Sequence, residues 1–209
     1  MLIHIFTSIV DMVFPPSPSH LLLRDTPDTA WTSHLLHPRK IGDVLCLSSY
    51  QEPAIKAAIT AGKFEHNTRA LRQLGILLRT YLTECVTSFP SRTLFVPVPL
   101  HTTRQRERGY NQVTEILHAG LSGTPYRTES LLRRQLATSP QSHLKRTDRL
   151  THLKDAFAYQ STRIDWSKIE AVVLCDDVMT TGSTLEACRL TLQPKLPPHV
   201  KLYFLAIAH

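Results

Sequence analysis

The chain has 209 residues, 42% of them hydrophobic and 20% charged, which is enough to bury a core and fold as one α/β domain with a small appendage. Its formal net charge of +7 favours an anionic partner, a polyphosphate, a nucleic acid or both. The longest apolar stretch near the start, Met1–Phe14, is too short to span a bilayer and is broken by His4 and Asp11, so no membrane insertion is expected.

Taken in order, that first stretch reads as a docking helix stopped by Pro15-Pro16. Residues from Ser17 to Lys40 are rich in Pro, Ser, Thr and His and read as irregular structure with short strands. Their histidines, His20, His34 and His37, have no cysteine partners nearby and fit solvent-exposed side chains better than a metal site. Pro53–Gly62 looks like a helix with a glycine stop. A second helix follows through Leu71, Leu74, Leu78, Leu82 and Cys85, with Asn67 or Thr68 as its cap. Thr93–Pro99 reads as a short buried strand. Arg104–Arg108 reads as a basic loop, and Val113, Ile116 and Leu117 as one face of the next helix. Strands are expected near Tyr126–Leu131 and Ala156–Tyr159. Between them Arg133–Leu153 is basic, rich in hydroxyls and without an apolar stripe, as a lid or binding loop would be. Ala171–Cys175 forms the central strand and Val200–Ala208 a closing strand. This order implies an open, mainly parallel sheet with flanking helices over residues 51–209, and an appendage over residues 1–50.

Nine Lys and Arg lie between Arg104 and Arg149 against four acids, so most of the excess charge is concentrated there. The four cysteines, Cys46, Cys85, Cys175 and Cys188, are widely spaced and form no Cys-x-x-Cys pair. They fit buried free thiols in a reducing, cytoplasmic compartment.

The densest chemistry lies at 171–184. An apolar strand runs into Asp176 and Asp177. The turn Thr180-Thr181-Gly182-Ser183-Thr184 follows, and then a helical pattern from Leu185 to Leu190. A helix whose first N–H groups point into such a turn binds phosphate, and adjacent acids suit sugar hydroxyls. Together they point to a sugar phosphate.

Asp176-Asp177-Val178-Met179-Thr180-Thr181-Gly182-Ser183-Thr184 resembles the phosphoribosyl-pyrophosphate (PRPP) motif of type I phosphoribosyltransferases. Val96-Pro97-Val98-Pro99-Leu100-His101, the run Arg104-x-Arg106-x-Arg108-Gly109-Tyr110-Asn111-Gln112, and Thr138-x-x-Gln141-x-x-Leu144 are similar to the ComF/GntX-type branch of that superfamily. The resemblance covers most of residues 50–209. It implies a phosphoribosyltransferase-like α/β fold, with residues 1–50 as a hood-like segment. It also implies a glycosyltransferase that displaces pyrophosphate from C1 of PRPP, by catalysis that is mostly electrostatic.

Under that resemblance Asp176 and Asp177 are the catalytic acids and accept hydrogen bonds from the ribose hydroxyls. Thr180, Thr181, Gly182, Ser183 and Thr184 cradle the 5′-phosphate. Pro99, Leu100, His101, Arg104, Arg106 and Arg108 receive pyrophosphate, and Arg134, Lys145 and Arg149 close over it from a mobile loop. Mg²⁺ arrives with PRPP and is held by ligand oxygens and water rather than directly by protein. Related proteins often carry a zinc ribbon after the Phe-Pro-Pro segment. Here that stretch reads Ser17-Pro18-Ser19-His20, so no structural zinc is expected. Lys154 stands where those proteins usually have asparagine. Thr180 stands where purine-salvage relatives carry an aspartate base, which weakens a purine-salvage assignment. The acceptor is left open, and so is the oligomeric state. The resemblance also links the chain to competence and DNA uptake. The alternative it raises is a non-catalytic accessory protein that binds nucleotide, single-stranded DNA or a helicase of the uptake machinery. Among residues 102–150 only Tyr110 and Tyr126 are aromatic, which offers little for base stacking.

Overall fold

The computed structural model describes residues 18–33, 36–85, 89–135, 156–160 and 163–209. The docking helix expected over residues 1–14 and most of the lid expected over 133–153 lie outside them.

The described residues form a mostly parallel six-stranded sheet with helices on both faces, as the alternation of strand and helix patterns implies. Its strand order is β1 (Arg39–Ile41), β2 (Val44–Ser48), β8 (Lys201–Ala208), β7 (Ala171–Val178), β3 (Thr93–Pro97) and β4 (Arg127–Thr128). Only the β1–β2 pairing is antiparallel. The boundary expected after residue 50 therefore falls inside one sheet, because β2 pairs in parallel with β8, Val44 opposite Phe204 and Ser48 opposite Ala208.

The described part of the Ser17–Lys40 stretch is mostly helical, with only its end in the short strand β1. It holds helices α1 (Pro18–Asp25) and α2 (Asp28–Ser33). Both are too short to show a clear period, and tertiary burial of Leu23 and Trp31 decides them. They pack on α3 (Pro53–Phe64) and α4 (Thr68–Glu84) respectively. The Asn67 side chain caps α4 by accepting the Ala70 N–H at 3.0 Å. Gly62 does not stop α3, which runs on to Phe64. A Cβ at Gly62 would lie 2.5 Å from Leu71 Cδ2, so any larger residue there would have to displace the Leu71 side chain between the two helices. The stretch expected to be a basic loop is helix α5 (Thr102–Arg108). It has no buried residue and so no apolar period to read.

Burial on both faces explains the continuous apolar runs of β3 and β7. On one face Phe95, Val173, Cys175, Leu205 and Ile207 pack with α3, α4 and α6 (Gln112–Leu121). On the other, Leu94, Val96, Val172 and Leu174 pack with α7 (Ser183–Leu192) and with a small antiparallel pair, β5 (Leu132–Arg134) and β6 (Phe157–Tyr159). Cys46, Cys175 and Cys188 are buried free thiols, and burial raises the pKa of each. No helix among the described residues is long and apolar enough to cross a membrane.

Phe95 is fully buried, with the rings of Phe89 and Tyr126 at 5.6 and 5.3 Å. Phe95→Ala is expected to cost about 3–5 kcal/mol of stability, read from the urea denaturation midpoint.

Candidate ligand site at the carboxyl edge of the sheet

Parallel strands end together at one edge of the sheet, and the loops that leave them share that edge. β7 delivers Asp176 and Asp177 there, and β3 delivers Pro99, Leu100 and His101. Successive strand residues point to opposite faces. The two acids therefore part company, Asp177 continuing the row of Val173 and Cys175, and Asp176 the row of Val172 and Leu174.

Asp177 is buried at 4% exposure. Lys63 Nζ, in the last turn of α3, donates to its Oδ1 at 2.9 Å, and Gln112 Nε2, at the start of α6, donates to its Oδ2 at 2.7 Å. Arg108 Nη1 donates to Gln112 Oε1 at 3.1 Å, so a guanidinium of α5 joins the same chain of bonds. Asn111 Nδ2 donates to the Val98 carbonyl at 2.9 Å, and Tyr110 OH donates to the Gly62 carbonyl at 2.6 Å. The segment 108–112 thereby ties α3, the exit of β3 and the end of β7 together.

Asp176 has a different setting. It is partly buried, its Oδ1 accepts the Asp177 N–H at 2.9 Å, and it lines a cavity with Thr180, Thr181, Gly182, Ser183 and Thr184. The cavity volume of about 20 Å³ holds one small group, such as a water or a single oxyanion oxygen. Burial raises the Asp176 pKa to about 7. Repulsion by Asp177 adds to the shift, while the Asp177 N–H, Lys63 and Arg134 oppose it.

Gly182 takes φ +73°, which glycine adopts without strain, and this turns the chain into α7. Thr181 Oγ1 and Ser183 Oγ share a hydrogen bond at 2.7 Å across the turn. The Gly182 carbonyl accepts the Glu186 N–H at 2.9 Å as the first helical bond, so the preceding N–H groups of the first turn have no helical acceptor. The residues Thr180–Ser183 of the same turn also border a larger cleft of about 410 Å³, lined as well by Gly42, Asp43, Arg189 and Phe204.

The basic residues divide. His101 caps α5, its Nδ1 accepting the Thr103 N–H at 3.2 Å. Arg104, Arg106 and Arg108 follow on that exposed helix, and Arg108 lies over the Phe64 ring at 5.1 Å. Arg134 is in strand β5 rather than a loop, stacked over Phe157 at 5.3 Å. Burial lowers its pKa and repulsion from Arg104 lowers it further, with Asp176 acting in the opposite sense. Arg104, Arg134 and Asp176 thus share one electrostatic neighbourhood. Lys145 and Arg149 lie outside the described residues.

Two residues of this site carry no signal in a local reading. Lys63 sits at the end of an apolar helix, and Gln112 looks like an ordinary first-turn residue. Only the Arg-Gly-Tyr-Asn-Gln run, singled out for its resemblance, marks the second. Among the described residues no group of three or more His, Cys, Asp and Glu is placed to hold a metal.

No protein-family model matches this chain. It is 34% identical over 116 residues to Competence protein F of Haemophilus influenzae. The chain is similar to a competence protein. The match covers 54% of this chain and 49% of that protein, so the chain spans about half the length of the curated relative it matches.

The raised pKa of Asp176 sets a pH dependence. A carboxyl whose folded pKa of about 7 exceeds its ordinary value of 3.8 holds its proton longer in the folded state, so stability falls as pH rises from about 4 to about 7. Asp176→Asn should remove that part of the slope and raise the urea midpoint at pH 8. Denaturation curves of both proteins from pH 4 to 8 check this.

Proposed function

We propose that this protein is a ComF-type protein with a phosphoribosyltransferase-like fold that binds PRPP or a related ribose phosphate together with Mg²⁺, transfers the phosphoribosyl group to an acceptor, and serves competence and DNA uptake. The observation that carries the reading is the cavity shared by Asp176 and the Thr180–Thr184 turn at the end of the central strand. An oxyanion there would meet first-turn N–H groups and two hydroxyls, and a neighbouring sugar would meet a carboxylate. Arg104 and Arg134 supply positive charge beside it, where a departing pyrophosphate would need neutralising. The similarity to Competence protein F supports the competence role.

Calorimetry with PRPP and Mg²⁺ tests this. Saturable binding is expected. Gly182→Val, which strains a left-handed φ and fills the turn, should weaken it by about tenfold or more. Pyrophosphate release across a panel of nitrogen acceptors then tests transfer. Absence of any binding by PRPP or ribose 5-phosphate would overturn the reading.

A second reading, a nucleic-acid-binding accessory protein, is favoured by a separate observation. Phe64 is 69% exposed beneath Arg108, and the His66 and Tyr110 rings meet edge to face at 5.6 Å. Two of these residues, Phe64 and His66, come from a chain segment that the sequence does not group with the basic run, and they add to its aromatic surface. Stacking of one base on Phe64 would contribute about 1–3 kcal/mol. Phe64→Ala is therefore expected to weaken single-stranded oligonucleotide binding by about tenfold while leaving ribose 5-phosphate affinity unchanged, as measured by fluorescence anisotropy and calorimetry.

A further inference from the structure

The two adjacent acids need not do the same work. Asp177 has a bond on each carboxylate oxygen, from Lys63 at 2.9 Å and Gln112 at 2.7 Å, and is buried on the face packed by α3 and α6. Asp176 lines the small cavity at the Thr180–Thr184 turn. From this geometry we infer that Lys63 is a positioning residue, which with Gln112 locks Asp177 inside the fold and leaves Asp176 as the carboxylate of the pair that meets the sugar. The inference rests on the ribose-phosphate reading for what Asp176 contacts. The lock itself can be measured without ligand.

The electrostatics agree. The titratable and charged groups that interact with Asp176 are Asp177 and Cys175 on its own strand, Lys63 from α3, Arg134 from β5 and Cys188 from α7, while Arg104 of α5 acts on Arg134. Asp177 opposes its ionisation, whereas Lys63 and Arg134 favour it. Lys63 therefore acts on both acids, on Asp177 by direct contact and on Asp176 through the field. Its side chain is 23% exposed against 6% for that of Asp177, so the ion pair sits just beneath the surface of the edge. Removal of one member strands the other in a site built for two.

The test uses Asp176→Asn, Asp177→Asn, Lys63→Met, Lys63→Arg and the Lys63→Met/Asp177→Asn double variant. Each is read for its urea midpoint and its affinity for ribose 5-phosphate. Asp177→Asn and Lys63→Met should each lower the midpoint, and the double variant should lose less than the two losses added. Lys63→Arg should recover most of the loss. Asp176→Asn should hold or raise the midpoint at pH 8 yet weaken ribose 5-phosphate by about tenfold or more. Lys63→Met should weaken the ligand and move the pH midpoint of its binding upward, a shift that simple loss of packing does not produce.

Equal loss of ligand in Asp176→Asn and Asp177→Asn, with the Asp177→Asn urea midpoint unchanged, would overturn the inference. Additive losses in the double variant would overturn it as well. If no protein in the series binds ribose 5-phosphate but the two midpoints move in opposite directions, the lock stands and the ribose-phosphate reading fails.

Discussion

An unpaired charge at the position of Asp177 would cost several kcal/mol, because it faces a helix layer rather than water. The fold meets that cost with two donors from different helices. Lys63 arrives at the end of α3 and Gln112 at the start of α6. One carboxylate thereby connects two helices to the central strand. Arg108 extends the network toward α5 through Gln112, and Tyr110 and Asn111 add bonds to α3 and to the exit of β3. The edge of the sheet gains its rigidity from these contacts. Loops built on such a base can present groups to a ligand with little reorganisation.

Parallel pairing is what turns this edge into a site. β3 and β7 are neighbours and run the same way, so the Pro99–His101 segment and the Asp176–Thr184 segment emerge side by side. The turn after β7 then needs only one unusual backbone angle, at Gly182, to aim the first N–H groups of α7 at the cavity beside Asp176. The positive charge comes from two layers. α5 carries Arg104 at the edge, and β5 brings Arg134 from the opposite face. An anion between them would relieve their mutual repulsion, which is the electrostatic argument for the proposed phosphate-rich ligand.

Long periodic segments were readable. Thr68–Glu84 and Gln112–Leu121 show helical spacing, and Thr93–Pro97 and Ala171–Val178 are apolar strands buried on both faces. Short elements were not. α5 lacks a buried residue, and α1 and α2 depend on burying Leu23 and Trp31 under helices that are distant in the chain. β2 carries a plain apolar run, but only its partner β8, more than 150 residues away in sequence, makes it part of the sheet. Propensity is a local quantity, and these elements are held by contacts that are not local.

The stretch from Ala171 to Thr184 holds its chemistry in the sequence itself. An apolar run, two acids, and a hydroxyl-rich turn around a glycine specify a strand, a sheet edge and a turn into a helix, because spacing and residue type suffice for each. The sequence could not tell Asp176 from Asp177. They are adjacent and chemically identical, and strand alternation says only that they face opposite ways. The tertiary structure decided which face holds Lys63 and Gln112 and which holds the cavity. That assignment depends on how α3 and α6 pack against the sheet, and contacts across 114 and 65 residues leave no mark on the local pattern.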